Sequence, residues 1–476
     1  IGQKLSRSKS DTKPKPSPLP DSFITAARAL QSEGAKISVA DNNTELRLGR
    51  MGALPGSAPW SHENADVGNS VVSKDNLVKP PLGLLWFGGP ANDDILPRHG
   101  HGPTPQVIGG RLYIEGPNAL RAVDVYTGRL LWQRAFPGLG KFYDNTAHQP
   151  GANEIGSNYA SADDSIYVVY NRSCLRLDPL TGDTLSTFTL PGQAKNRAPN
   201  WGYIGIYKDL LIAGSEPLAI TMTKESKVPS VVKDAPYSSS SKHLVVMNRY
   251  SGKILWQREA QQVFRHNAIA AANNMIYCID GLSAASLSLM RRRGEEPDSP
   301  SLLLALDAHT GKLCWSHEDK IFGTWLGYSE EFNILIESGS PARDRARDEA
   351  EGQMAAYNAT TGEIIWHENF KYNGRPMLRG DTIYTEGTAF SLVAGKPKKR
   401  LNPVTGRATT WAYKRNYGCN TPIGGQHMLL FRSAAAGFYD LSTDGGTGNW
   451  GGFKSGCTAN LIPADGILSA PDYTRT

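Results

Sequence analysis

The stretch LRAVDVYTGRLLWQR, residues 120–134, contains the pattern that decides the fold. Alternating apolar residues lead to Asp124, a Thr-Gly pair follows, and a second apolar run ends in Trp132. Such alternation is typical of a β-strand. Asp-x-x-Thr-Gly is typical of a tight turn in which the Asp side chain binds backbone N–H groups and Gly takes a positive φ. The stretch therefore predicts two antiparallel strands joined by a short turn.

The same pattern recurs along the chain, and in most copies the second strand ends in Trp. The turn glycines are Gly128, Gly182, Gly252, Gly311, Gly362 and Gly406. A long, fixed-pattern repeat of this kind marks a propeller or a solenoid. Two further strand patterns precede each copy, for example PTPQVIGG and RLYIEG in residues 103–116. Each repeat therefore predicts four antiparallel strands, A to D, with the Thr-Gly turn between C and D.

Counting these repeats predicts an all-β protein, an eight-bladed β-propeller of four-stranded antiparallel blades. Seven blades are complete, and the eighth begins at Cys457 and contains only strands A and B. Trp86, in LGLLWFGG, resembles a strand-D Trp with no strands before it. We expect residues 82–88 to complete the eighth blade, because closure of the ring removes exposed sheet edges. Its strand C is expected from residues 65–80 or from sequence beyond Thr476.

Composition supports a turn-rich globular protein and excludes several classes. The chain has 49 Gly and 30 Pro in 476 residues, with 39% hydrophobic residues, so a large core is available and global disorder is excluded. No run approaches the roughly 18 apolar residues of a membrane span. The net charge is +6, and only short basic runs such as residues 396–400 occur, so we predict no nucleic-acid partner.

The N-terminal region differs from the rest, and we predict three segments. Residues 1–21 are a flexible Pro/Ser/Lys-rich tail. Residues 22–64 contain a short irregular α/β extension, a helix followed by a strand ending near residue 40, and a linker. Residues 65–476 form the propeller.

The repeats resemble the quinoprotein (pyrroloquinoline quinone-binding-like) eight-bladed β-propeller family. This family includes quinone-dependent alcohol dehydrogenases and outer-membrane assembly lipoproteins without a cofactor. APWSH (58–62) and residues 71–89 also resemble the entry segment of large bacterial multidomain proteins with this propeller. The resemblance implies an exported, extracytoplasmic protein of the periplasm or cell surface. For the dehydrogenases it implies a quinone held between a Trp and two adjacent cysteines, with a calcium ion bound by Glu, Asn and Asp. The five cysteines, at positions 174, 278, 314, 419 and 457, are not adjacent, which disfavours quinone and calcium.

In such a fold the starts of the A strands point to one mouth of the central channel, and these starts are unusually polar. Long insertions at residues 216–240, 281–300 and 339–352 fall on the same face, and long loops on a rigid scaffold commonly carry function. We therefore place the ligand site on this channel-mouth face. The candidate ligand-binding residues are Arg98, His99, His101, His148, Glu154, Asn158, Trp201, Arg265, His266, Asn267, Trp325, Arg375, Asn420 and Asn460.

Each candidate type has a functional and a structural interpretation. His99 and His101 are metal ligands, an acid–base pair or hydrogen-bonded loop residues. The arginines at 265 and 375 bind an acidic ligand or brace adjacent blades, and Trp201 and Trp325 stack on a ligand or pack between blades. Cys419 and Cys457 start equivalent strands of adjacent blades, which predicts a disulfide between them.

These features favour a non-catalytic binding or assembly module of a larger exported bacterial protein, with a protein or saccharide held at the channel mouth. Two enzyme alternatives use the same face. One is a carbohydrate-active enzyme of the polysaccharide lyase type, which needs an acid, a base and a cation; its candidates are Arg98, His101, Tyr143, His148, Arg265, His266 and Arg375. The other is a quinone-dependent dehydrogenase.

Overall fold

The computed structural model describes residues 36–41, 46–146, 151–192, 196–221, 230–341, 349–402, 404–418, 421–457 and 461–471. The chain divides into two compact units, Ile1–Pro55 and Gly56–Thr476. In the first unit, β1 (Lys36–Asp41) pairs with β2 (Leu46–Met51) in an antiparallel hairpin. The predicted helix that precedes this hairpin lies outside the described residues. The predicted start of the propeller, residue 65, lies inside the second unit, which begins at Gly56.

The second unit consists of successive antiparallel strand groups, and each group follows the chain from its first strand outward. Groups 1 and 2 are β3 (Gln106–Ile108), β4 (Arg111–Glu115), β5 (Ala119–Asp124) and β6 (Leu130–Ala135), then β7 (Tyr159–Ala162), β8 (Ser165–Tyr170), β9 (Ser173–Leu177) and β10 (Thr184–Thr189). Groups 3 and 4 share one long strand and comprise β11 (Trp201–Tyr207), β12 (Leu210–Thr221), β13 (Ser230–Val232), β14 (Ser240–Asn248), β15 (Ile254–Ala272), β16 (Met275–Asp280), β17 (Leu302–Asp307) and β18 (Leu313–His317).

The remaining groups are shorter towards the C-terminal end. Group 5 is β19 (Trp325–Ser329), β20 (Ile334–Ser338), β21 (Gln353–Asn358) and β22 (Ile364–Asn369). Group 6 is β23 (Met377–Arg379), β24 (Thr382–Tyr384) and β25 (Ala389–Ser391), followed by a separate hairpin, β26 (Lys399–Leu401) and β27 (Ala408–Thr410). Group 7 is β28 (Ile423–Gly424), β29 (Met428–Ser433), β30 (Ala435–Asp440) and β31 (Gly446–Asn449), and group 8 is β32 (Ile462–Ala464) and β33 (Ile467–Ser469).

In the described residues the helices are short. Two 3-10 helices, Asn92–Asp94 and Arg98–Gly100, precede group 1, α1 (Ala152–Ile155) connects groups 1 and 2, and α2 (Ala284–Arg292) lies between β16 and β17 of group 4. The protein is thus built almost entirely from antiparallel strands, as predicted for a propeller. Within the described residues group 8 has two strands rather than four, so the count of eight blades stays a prediction.

The repeated motif holds neighbouring groups together. Trp132 lies over Gly182, where a Cβ atom would come within 2.8 Å of the indole ring, and its Nε1 donates to Pro179 O at 3.0 Å. Trp256 and Trp315 make the equivalent contacts with the turns of Gly311 and Gly362. Each of these three turn glycines therefore has two reasons to lack a side chain, a positive φ and an indole ring packed against it. These Trp rings therefore pack between neighbouring strand groups.

Trp86 makes the same contact with the turn of group 1. Its Nε1 donates to Val125 O at 2.8 Å, and its ring covers Gly128. Residues 82–88 therefore lie where a strand D of group 8 was expected, although they are not in a β-strand.

Group 6 departs from the predicted motif. Trp366 packs on Gly395 and donates to Leu392 O at 2.8 Å, so the docked turn is Ser391–Gly395. Gly406, the predicted turn glycine, lies at the tip of the separate β26–β27 hairpin, with nothing within 4 Å of a Cβ placed there. The copy that contains Gly406 is therefore a surface hairpin.

One stretch, residues 58–75, runs along the inside of the whole ring, and we call it the channel segment. Its backbone forms hydrogen bonds of 2.7 to 3.0 Å with the first strands of the groups or with the turns that follow those strands. At one position the segment uses a side chain instead, because His62 Nε2 accepts from Ile206 N at 2.9 Å. Following the channel segment from its first residue to its last, the partners are Asp465, Val107, Ser161, Ile206, Ala271, Tyr328, Leu378 and Gly424. The carboxylate of Asp75 closes the circuit by accepting from Ala58 N and Gly466 N. Residues 65–75 therefore line the channel and do not supply the missing strand C.

Candidate functional site

The residues predicted to lie at the channel mouth belong to two structures, a packed plug and an open groove that we call the rim groove. The plug includes α1, whose polar contacts come from distant parts of the chain. Its backbone accepts from Asn267 Nδ2 at 2.8 Å through Asn153 O, and from His266 Nδ1 at 2.7 Å through Ile155 O. Ala152 N donates to His101 O at 2.9 Å. α1 therefore lies across the channel, above the channel segment.

Arg375 ties this helix to the channel segment. Its guanidinium donates to Asn64 Oδ1 and to Asn153 Oδ1, and it lies 5.7 Å from the ring centroid of Trp325. The side chains of Arg375 and Trp325 are almost completely buried. Such a cation–π contact away from water stabilises the fold, which favours the bracing interpretation of Arg375.

His266 is also held inside the plug. Its Nδ1 faces a carbonyl oxygen and therefore carries the proton, so Nε2 accepts from Ser241 Oγ at 2.8 Å. Burial lowers the pKa of His266 to about 4, with the Arg265 charge acting in the same direction. His266 is therefore neutral at physiological pH, and both its ring nitrogens are engaged.

Two acidic residues near the plug were not singled out from the sequence. Glu63, in the channel segment, accepts from Thr104 N at 2.9 Å and from Thr104 Oγ1 at 2.8 Å. Glu115, at the end of β4, is buried, and burial raises its pKa to about 8. A glutamate at the core-facing position of a strand, two residues after Tyr113, is the signal that could have identified Glu115.

The quinone that the resemblance implied for dehydrogenases does not fit these residues. The Trp325 face is occupied by Arg375, and the chain has no adjacent cysteines. For a calcium ion, both oxygens of the Glu63 carboxylate already accept from Thr104, and burial raises the pKa of Glu63. Calcium binds the ionised carboxylate, so this burial opposes calcium binding.

The rim groove consists of two clefts that share Ile155, Tyr237 and Ser238. The first cleft, about 670 Å³, lies between groups 1, 2 and 3. Its polar and aromatic lining includes Asn158, Arg172, Arg197 and Trp201. Arg172 is fixed by Asp234 at 2.8 Å, and Tyr237 stacks on Phe142 with 4.0 Å between the ring centroids.

The second cleft, about 800 Å³, lies between α2 and the β12–β13 hairpin. Glu154 and Arg265 lie at its inner end. Its apolar lining includes Leu218, Ile220, Val231, Leu289 and Met290. Ser283 caps α2 by accepting from Ser286 N at 3.1 Å, and none of the nine residues of α2 is buried. The apolar side chains of this helix are therefore left half-exposed towards the cleft.

The structure thus separates the sequence-predicted candidates. His266, Asn267, Trp325 and Arg375 meet at the plug. Asn158 and Trp201 line the first cleft, whereas Glu154 and Arg265 line the second. His99 and His101 lie beside Cys457, and Arg98 Nε is 3.2 Å from His99 Nε2. The candidates His148, Asn420 and Asn460 lie outside the described residues, as does Cys419, one half of the predicted disulfide.

Comparison with known proteins supports the fold. Residues 171–342 match the family model described as outer membrane protein assembly factor BamB. The chain is similar to the quinoprotein-like propeller family. The resemblance drawn from the repeats is thereby confirmed. The matched residues include α2 and the described lining of the second cleft except Glu154 and Ile155.

Several solved structures are similar to this propeller. A europium-containing methanol dehydrogenase has 14% identity and a TM-score of 0.48, with 81% of this chain and 84% of that chain covered. The quinohemoprotein alcohol dehydrogenase from Comamonas testosteroni has 12% identity and a TM-score of 0.48, with 80% and 71% covered. BamB from Moraxella catarrhalis has 12% identity and a TM-score of 0.40, with 84% and 94% covered. No curated protein matches the propeller. Among the described residues, no helix has the length and apolar character needed to span a membrane.

Proposed function

We propose that this chain is a non-catalytic, quinoprotein-like propeller that binds a partner polypeptide in the rim groove, as an assembly module of a larger exported bacterial protein. The observation that carries this proposal is α2. An isolated helix of nine residues is unstable in water and depends on packing of its apolar face. In the described residues that face packs only partly, across a cleft from apolar residues of the β12–β13 hairpin.

The lining of the groove supports a peptide segment as the ligand. The second cleft offers apolar side chains, including Met290, and flexible Met side chains suit varied apolar partners. The first cleft adds aromatic rings and arginines, the residue types enriched in protein interfaces. A peptide with apolar residues towards α2 and acidic or aromatic residues towards Arg197 matches both clefts.

The contacts on the channel axis support a structural role for most of the polar residues at the strand starts. A lyase-type acid and base need access to substrate, whereas Tyr143 and His266 are buried and His266 is bonded at both ring nitrogens. The matched family description, an outer-membrane assembly factor, favours an extracytoplasmic location for this chain.

The proposal is tested by site-specific photocrosslinking in cells of the native source. A photoreactive residue is placed at Leu289 in the groove, with a matched control at Leu180, an exposed residue of a C–D turn on the opposite face. We expect Leu289 to crosslink one defined polypeptide and Leu180 to leave it uncrosslinked.

A second variant distinguishes binding from proximity. Leu289→Asp is expected to abolish recovery of that polypeptide, and Leu180→Asp to leave it unchanged. Equal crosslinking from both faces, or turnover of a polysaccharide or alcohol by the purified chain, would refute the proposal.

A further inference from the structure

Three side chains with metal-binding atoms meet beside the plug: His99, His101 and Cys457. Their ligand atoms all lie within 4.8 Å of one another, and Cys457 Sγ lies 3.8 Å from His99 Nδ1. In a tetrahedral zinc site, bonds of roughly 2.0–2.3 Å place ligand atoms about 3.3–3.8 Å apart. Small side-chain rotations therefore bring these three atoms to coordination distance. We propose that His99, His101 and Cys457 form a binding site for a divalent transition metal, with zinc(II) as the reference ion.

The backbone around His101 is left-handed and closely packed. His101 has φ 54° and ψ 47°, a conformation that is uncommon for residues other than Gly, although Asn, Asp and His adopt it more often than other residues. A Cβ on Gly151 would lie 2.1 Å from His101 Cβ, and a Cβ on Gly100 would lie 1.7 Å from Tyr143 O. Strained residues persist where their surroundings determine them closely, and they cluster at functional sites. The glycines allow this close packing and hold the imidazole of His101 beside Cys457.

The ligand chemistry selects the class of metal. Two imidazole nitrogens and one thiolate suit zinc and similar borderline ions rather than calcium or magnesium. Three protein ligands leave a fourth position for water or for a ligand of the module. His101 and Cys457 are buried, whereas His99 is half-exposed, so an ion has access from the His99 side. For coordination through Nδ1 of His99, the proton moves to Nε2, and the Arg98 guanidinium turns away from that nitrogen.

This site and the predicted Cys419–Cys457 disulfide exclude each other, because a metal needs the Cys457 thiolate. The proposal is independent of the rim groove and of its partner. Coupled deprotonation of the thiol also makes metal binding weaken as the pH falls.

The experiment uses the full chain, reduced, stripped with a chelator and titrated with zinc(II) and with cobalt(II). We expect one bound ion per chain by elemental analysis, and a thiolate-to-cobalt charge-transfer band in the absorption spectrum. Cys457→Ser should remove that band, and His99→Gln and His101→Asn should each weaken zinc binding at least tenfold. Asn tolerates the left-handed conformation, so His101→Asn tests the ligand with little change in backbone strain.

Matched controls are Cys314→Ser and His309→Gln, which alter exposed residues elsewhere on the chain and should leave both signals unchanged. Cys419→Ser should also retain the cobalt band. Three results would overturn the proposal: no stoichiometric ion in the reduced chain, an unchanged cobalt band in Cys457→Ser, or a Cys419–Cys457 disulfide mapped in protein from the native source. Thermal unfolding of the metal-free variants shows which of them remain folded.

Discussion

The channel axis and the rim groove both contain arginine, aromatic and acidic residues, but the two regions use them in opposite ways. On the axis, Arg375 donates to Asn64 and Asn153, and Arg375 and Asn64 are buried. In the groove, Arg197 and Arg292 border clefts of about 670 and 800 Å³. A polar residue at a channel mouth therefore gives little evidence for ligand binding until its existing partners are known.

Acid should lower the free energy of unfolding through two buried histidines on the channel axis. His62 accepts from Ile206 N at 2.9 Å, and burial lowers its pKa, like that of His266, to about 4. The unfolded chain takes up these protons near pH 6.5, whereas the folded chain does so only near pH 4. The free energy of unfolding should therefore fall as the pH drops from 6.5 to 4, on the order of 3 kcal/mol for each histidine.

Urea unfolding at several pH values checks this expectation. His266→Gln should flatten the pH dependence, whereas His309→Gln, at an exposed position, should not. An unchanged slope in His266→Gln would show that this part of the axis is not held by a neutral histidine.

Removal of the axis guanidinium should also lower the free energy of unfolding. Arg375→Met leaves the amide oxygens of buried Asn64 and half-buried Asn153 without their donor, and an unsatisfied buried acceptor costs about 1–3 kcal/mol. Arg292→Met, at the end of α2 in the groove, should cost less than about 0.5 kcal/mol. Urea midpoints of the two variants measure the contrast directly, and similar losses would remove the distinction between axis and groove.

The buried Glu115 gives an effect of opposite pH dependence. Its pKa is about 8 in the folded chain, so the folded state keeps a proton that the unfolded chain releases near pH 4.5. The free energy of unfolding should therefore fall as the pH rises from 4.5 to 8. Glu115→Gln should be more stable than wild type by on the order of 4 kcal/mol at pH 8 and similar to it at pH 4.5. Thermal unfolding at both pH values tests this, and a constant difference would contradict it.

The smallest stability effect is expected in the groove. Leu289→Ser should change the free energy of unfolding by no more than about 0.5 kcal/mol, because α2 has no buried residue. A loss of 2 kcal/mol or more would mean that Leu289 belongs to the core and would weaken the groove as a binding surface. Differential scanning calorimetry of the variant separates these outcomes.

The fold was predictable because its signals are local. Asp or Asn, a Thr-Gly pair and a following Trp determine both the turn and the ring that packs on the next turn. Group 6 shows the limit of this reasoning. Ser391 replaces the usual Asp, accepting from Ala394 N at 3.2 Å, while the better copy of the motif, at residues 402–406, forms a surface hairpin. Turn chemistry specifies a turn but not what packs against it.

The candidate site was less predictable because its contacts are distant in sequence. The strand starts at the channel mouth stay a prediction, and α1 and the channel segment, which contact several of these residues, are held by partners far along the chain. Asn69, for example, donates to Leu326 O across 257 residues. No periodicity or spacing in the sequence records such a pairing.

The channel segment also sets an order for biosynthesis. Its residues leave the ribosome before any of the strands that they join, yet Asp75 and Gly466, which complete the circuit, are 391 residues apart. At 5–20 residues per second, translation of that interval takes roughly 20 to 80 s. During this time the N-terminal part of the segment lacks its last hydrogen-bond partners, so the circuit of hydrogen bonds can close only after synthesis has passed Gly466. A nascent chain that stalls earlier lacks the hydrogen bonds that close this circuit. Finished and unfinished molecules therefore differ in a physical property that a quality-control system can detect.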